Sequence, residues 1–165
     1  MNTGIVEITT KRFLLSQLTL DDISDRYFSW LNIEENPFIE YIKNHSTIEE
    51  LKTYVSETEK KRDVLFLGIF TKDKQHIGNI KYEPIDFKGK TATMDILIGD
   101  SEWRGKGVAI EVIKASAHYL ADRYKVTTIF LGVDQNNYAA VSIYKKIGFK
   151  IKEQNKNNIL MVWKL

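Results

Sequence analysis

The sequence predicts an α/β (α+β) domain: a mixed central sheet of about seven strands covered by helices, in the order β-α-α-β-β-β-α-β-α-β-β. Three observations carry this. Apolar segments between residues 64 and 98 alternate with short polar turns, which reads as an antiparallel meander. Beyond residue 104, helical and strand-like periods alternate. The chain has 165 residues with no repeat or linker, which fits a single domain over 1–165.

Residues 5–18 read as the first strand, with Val6, Ile8, Phe13, Leu15 and Leu18 interleaved with polar residues. Thr19-Leu20-Asp21-Asp22 is a helix start, and Ile23, Tyr27, Trp30 and Leu31 follow at helical spacing until Asn36-Pro37 breaks the run. Thr47 and Glu50 have capping-box spacing at the head of a second helix with Ile48, Leu51 and Val55 on one face. Residues 64–70, 77–82 and 91–98 form the meander. In its last strand Met94, Ile96 and Ile98 share one face, and Asp95 and Leu97 the other. Ile110, Ile113, Ala117, Leu120 and Tyr124 stripe a long helix running to about Arg123, and residues 127–133 form a strand. Asn137 suits the N-cap of a short helix with Val141, Tyr144 and Ile147 on its face, and Gly148 ends it. Residues 149–152 and 159–163 close the order as two strands joined by a polar turn.

Composition excludes several function classes. The formal charge is +2, and the densest basic run, Lys60-Lys61-Arg62, reads as a solvated helix end, so no nucleic-acid partner is expected. There is no cysteine, which removes disulfides, thiolate metal sites and cysteine nucleophiles. His45, His76 and His118 are scattered, so no metal is expected. No signal peptide or membrane-length apolar run is visible, and the expected location is the cytoplasm, with no membrane partner.

The informative segment is Arg104-Gly105-Lys106-Gly107-Val108-Ala109, at the start of the long helix. Glycines there let the backbone turn tightly and approach a ligand, and the unpaired N–H groups of a helix's first turn attract anionic oxygens. A tight turn packing helix on strand explains two glycines equally well. A Walker loop is excluded, because the Gly-x4-Gly-Lys-[Ser/Thr] pattern is missing. A dinucleotide fingerprint is excluded by Ile110 where the third glycine should stand and by the antiparallel strands before it. What remains is Arg-x-x-Gly-x-Ala: Arg104, Gly107 and Ala109.

The run from Ile96 to Ala109 resembles the coenzyme A-binding motif of the GCN5-related N-acetyltransferases (GNAT). Residues 137–149 resemble the same family's Asn-x-x-Ala-x-x-x-Tyr-x-x-x-Gly-Phe helix, on Asn137, Ala140, Tyr144, Gly148 and Phe149. Lys11–Thr19 and Tyr27–Asn32 are most similar to the branch holding ribosomal-protein N-acetyltransferases and their sugar-modifying relatives. The resemblance implies the GNAT fold, with a cleft where the fourth and fifth strands splay near Ile98 and Val133. It also implies acetyl-CoA as cosubstrate. Its pyrophosphate would lie on the amides of Arg104, Gly105, Lys106, Gly107, Val108 and Ala109. Its pantetheine arm would lie along Ile96, Leu97 and Ile98, where a strand amide can stabilise an oxyanion.

The resemblance further implies direct attack by a primary amine. Tyr144 matches the position that protonates the departing thiolate, and it is equally placed to be a core aromatic beside Val141 and Ile147. Asn137 matches a CoA-contacting position as well as an N-cap. Some protein N-terminal acetylating relatives carry a glutamate where this chain has Gly132, so the base must be sought elsewhere. Asp95, mid-strand among apolar neighbours, is the first candidate, against a reading as a structural or solvent-facing carboxylate. Glu83, Asp134 and an ordered water are the others. Expected partners are a small-molecule or peptide amine and, as an assembly, a homodimer. A small or sugar-like amine is favoured over a protein N-terminus. A CoA-binding module without turnover is the alternative of another class.

Overall fold

The computed structural model describes residues 4–31 and 47–165. The expected break at Asn36-Pro37 lies outside the described residues, as does His45. Among the described residues, eight strands make one sheet: β1 (Glu7–Thr9), β2 (Phe13–Ser16), β3 (Leu65–Thr71), β4 (His76–Asp86), β5 (Thr91–Ile98), β6 (Thr128–Asp134), β7 (Lys150–Gln154) and β8 (Asn158–Lys164). Helices α1 (Asp25–Trp30), α2 (Ile48–Glu59), α3 (Val108–Tyr124) and α4 (Tyr138–Ile147) pack on it. The spatial order is β1-β2-β3-β4-β5-β6-β8-β7, and every neighbouring pair is antiparallel except β5 and β6.

The extra strand comes from the first segment, which is a hairpin rather than one strand. Thr10 closes its turn: the Thr10 amide donates to the Phe13 carbonyl at 2.9 Å, and the Phe13 amide donates to Thr10 Oγ1 at 2.9 Å. The first helix is likewise divided. A short 3-10 turn at Leu20–Asp22 precedes α1, which starts afresh because Ser24 Oγ accepts the Tyr27 amide at 3.2 Å. The other caps follow the expected residues: Thr47 Oγ1 accepts from the Glu50 amide, and Asn137 Oδ1 from the Ala140 amide.

Two cores flank the sheet, and β3 shows why. It is buried along its whole length, with Leu65, Leu67 and Ile69 packed toward α3 and Phe66 and Phe70 toward α1 and α2. Burying each such side chain stabilises the fold by about 1.5–3 kcal/mol. On the α3 side, Tyr82 reaches Ser116 at 2.7 Å, tying β4 to the helix. On the other side, α1 is strapped to the far ends of β4 and β5. Arg26 donates to Asp100 at 2.6 Å and to the His76 carbonyl, and Trp30 lies so close to Gly99 that a Cβ there would be 2.0 Å from the indole. No helix among the described residues is long and apolar enough to cross a membrane.

Candidate active site

The site arises from a failure of pairing. β5 and β6 pair only at Thr91↔Thr128, Ala92↔Ile129 and Thr93↔Phe130. Beyond that, β5 stays with β4 as far as Ile98, and β6 stays with β8 as far as Asp134. The two strands therefore separate, and the β6-facing edge of residues 94–98 has no strand partner. A groove of about 700 Å³ fills the gap and extends to the N-terminus of α3.

The α3 end of the groove is made of backbone. Gly105 and Gly107 have φ of 73° and 76°, in the left-handed region that other residues avoid. Gly107 is the N-cap of α3 and supplies no side-chain cap, so the first-turn amides are left for a ligand. A Cβ at Gly105 would meet nothing within 4 Å, so open space lies directly over the loop. The loop is braced from behind. Arg12 donates to the Lys106 carbonyl at 2.9 Å and to Glu111 at 2.8 Å, and Glu111 also accepts from the Arg12 amide at 2.8 Å and from Thr10 Oγ1 at 2.5 Å. Burial opposes the charge on Glu111, but these donors prevail and hold its carboxyl below the usual range.

Asp95, Ile96, Leu97, Ile98, Arg104, Gly105, Gly107, Val108, Ala109, Asn137 and Tyr144 all line this one groove. Arg104 is committed to shaping the loop, since its guanidinium donates to the Ile98 and Gly99 carbonyls at 3.0 and 3.3 Å. Lys106 contributes its backbone to the loop, while its ammonium rests 5.5 Å over the Trp103 ring and outside the groove lining. Asn137 caps α4 at the groove wall, so its amide is engaged on one side by Ala140.

The two candidate proton-transfer groups share an environment. Tyr144 is pushed up to about 12, first by burial and then by the Asp95 charge, so its O–H keeps its proton at neutral pH. Solvent reaches Asp95 along the groove, yet surrounding protein desolvates the carboxyl and raises it. The Lys81 ammonium opposes that rise and the Glu83 carboxylate adds to it. Lys81 stands directly across the β4–β5 ladder from Asp95. It is fixed there by Tyr54 at 2.8 Å and Glu83 at 3.2 Å. Glu83 makes a poor base: burial works against its charge, but Lys61 at 3.0 Å and Lys81 together hold it below the usual carboxylate range. Asp134 lines the groove with Oδ1 accepting from the Asn136 amide at 2.8 Å.

The braces Thr10, Arg12 and Glu111 and the Tyr54–Lys81 pair are the functional features that sequence reasoning missed. Arg12 and Glu111 are 99 residues apart, and no local signal joins them. Lys81 could be found only from the β4–β5 register, which a bulge between Tyr82 and Ile85 shifts. A second, wider bowl of about 1100 Å³ lies at the other end of α3, around Phe87 and Tyr124, and none of these groups faces it.

A glycine-turned helix start, a strand edge left open, and a phenol and a carboxyl thus share one groove. Residues 12–150 match the acetyltransferase (GNAT) domain, and the chain belongs to that family. Among particular relatives, the spermine/spermidine N(1)-acetyltransferase of Bacillus subtilis (strain 168) is 32% identical over 65 residues, covering 39% of this chain and 43% of that protein. An N-alpha-acetyltransferase of Saccharolobus solfataricus is 34% identical over 73 residues, covering 44% of this chain and 42% of that protein. The chain therefore spans less than half the length of these curated relatives. The spermidine N-acetyltransferase of Vibrio cholerae, solved in complex with CoA and spermine, shares the fold with a TM-score of 0.79 at 19% identity, over 91% of this chain and 94% of that one.

Proposed function

We propose that this chain is an acetyl-CoA-dependent N-acetyltransferase that acetylates a primary amine by direct attack, with a small amine as acceptor. The observation that carries the reading is the continuity of one groove from the amides of the α3 N-terminus, along the open edge of β5, to Asp95 and Tyr144. Acetyl-CoA supplies the acetyl group as an activated thioester. The residues present fit it: the amides of residues 105–109 suit a pyrophosphate, the open space over Gly105 admits it, and the edge of Ile96–Ile98 suits an extended amide-bearing arm. Asp95 takes the proton that the acceptor ammonium must lose. Its raised pKa brings it nearer to the task than an ordinary carboxylate. Tyr144 holds its O–H proton through neutral pH and delivers it to the departing sulfur. No side chain needs to carry the acetyl group.

A protein N-terminus is the second acceptor reading, favoured by the match to the Saccharolobus N-alpha-acetyltransferase. The test is a screen of amines with acetyl-CoA, read as CoA release: spermine, spermidine, amino-sugar nucleotides and a ribosomal-protein peptide. Turnover with at least one is expected, and Tyr144→Phe should lower kcat by about 10²-fold while leaving CoA affinity by calorimetry unchanged. An unchanged rate would remove Tyr144 as the acid. Tight CoA binding with no turnover on any amine would favour a non-catalytic CoA-binding module.

A further inference from the structure

Gly132 lies in the middle of β6, opposite Leu160 of β8, in the interior of the sheet. Glycine weakens a strand interior, because it loses the most chain entropy on folding and packs no side chain. The other glycines from Gly68 to Gly148 have structural causes. Gly105, Gly107 and Gly148 hold positive φ, and a Cβ at Gly68, Gly78, Gly89 or Gly99 would come within 2.5 Å of a neighbouring atom. Neither cause operates at Gly132. Its backbone is outside the positive-φ region, and a Cβ there would meet no heavy atom within 4 Å.

The position of this gap is specific. The β5–β6 offset runs from Thr91↔Thr128 to Thr93↔Phe130. Continued into the splay, it sets Gly132 opposite Asp95, and aligned residues of parallel neighbours project to the same face. Both residues line the groove. The side chain that β6 lacks would thus stand across the opening from the candidate base, where the acceptor nitrogen must come to give up its proton.

We propose that Gly132 determines acceptor specificity: the room it leaves across from Asp95 admits substituents on the carbon bearing the reactive amine. Amines on a branched carbon, as in amino sugars or peptide N-termini, are then preferred to unbranched ones such as spermidine. The inference rests on the reading of this groove as a site of N-acetyl transfer. It runs against the polyamine acceptor named for the Bacillus relative, which makes the two separable.

The experiment compares wild type with Gly132→Ala and Gly132→Val, using glucosamine and an alanine-initiated peptide against spermidine. Melting temperature and calorimetric CoA affinity are measured alongside. Both variants should fold with an unchanged or higher Tm and bind CoA as wild type does, because the Cβ of either side chain enters open space. In Gly132→Val, kcat/KM for the branched amines should fall by about tenfold or more while that for spermidine holds, giving Gly132→Ala an intermediate value. Equal loss for branched and unbranched amines, loss of CoA affinity, or no change in either variant would each overturn the proposal. Wild type active on spermidine alone would overturn it while leaving the acetyltransferase reading standing. Wild type inactive on every amine would remove both.

Discussion

Along the α3 wall of the groove, the groups facing a ligand are backbone amides from one stretch of chain, residues 104–109. Elsewhere in the groove they are side chains drawn from separate elements, Asp95 from β5 and Tyr144 from α4, with Lys81 and Glu83 of β4 acting on Asp95 from outside the lining. On the proposed function, the first wall binds the cosubstrate that such enzymes share, and a fixed backbone serves that well. The second can change one side chain at a time without disturbing the turn that holds the cofactor. The braces differ in the same sense. Arg12 and Glu111 stiffen the loop from outside the groove, whereas Lys81 and Glu83 set the electrostatics inside it.

The sharpest way to break the backbone wall is Gly107→Val. A β-branched residue at a φ of 76° is strained by about 1–3 kcal/mol, and relief of that strain moves the amides. CoA affinity by calorimetry and kcat/KM for acetyl-CoA should both fall, by about 10²-fold or more. The side-chain wall should respond differently. Asp95→Asn should lower kcat by about 10²-fold with CoA affinity retained. Its effect on stability has the opposite sign. The folded state raises the Asp95 pKa above its ordinary 3.8, so it binds that proton more tightly than the unfolded chain does. Stability is therefore lost as pH rises from that ordinary value through the raised one, and Asp95→Asn removes the loss. At pH 7 its Tm should equal or exceed that of wild type, and a lower Tm would show that Asp95 is a structural carboxylate.

The smallest effect concerns the strap that holds α1 to the sheet. His76 is buried among Tyr27, Trp30 and Phe70, with Nε2 at 2.8 Å from Asn79 Oδ1, and burial lowers its pKa below 6.5. Its contribution is complete above the unfolded value near 6.5 and is lost as pH falls toward the depressed folded value. Thermal scans from pH 7.5 to 5.5 should show a steeper fall in Tm for wild type than for His76→Gln, by about 2 °C or more.

How much of this was legible follows the same division. The backbone wall is local, so Gly105, Gly107 and the Asn137 cap are legible from a dozen residues at a time. The expected seven strands become eight at Thr10, where the apolar positions shift from even (Val6, Ile8) to odd (Phe13, Leu15), a change of phase that marks the turn. Asp95 was found by its place in an apolar strand, but its partners were not. Lys81 and Glu83 act on it through the β4–β5 register, and Tyr54 reaches Lys81 through helix packing, neither of which a single chain's periodicity encodes. Trp30 and Tyr27 were read as packing residues from helical spacing, and they are buried in the core that seats α1.

The opening between β5 and β6 has a mechanical side. Below it, three residue pairs join two half-sheets, one ending at β5 and the other beginning at β6. On the proposed function, a bound cofactor arm ties these halves together as a removable crosspiece. At a hundredfold excess over its Kd, such a ligand adds about 2.7 kcal/mol to folding stability. Amides along residues 94–98 should then exchange with solvent more slowly as acetyl-CoA rises, and the protein's resistance to proteolysis would follow the supply of its own cosubstrate.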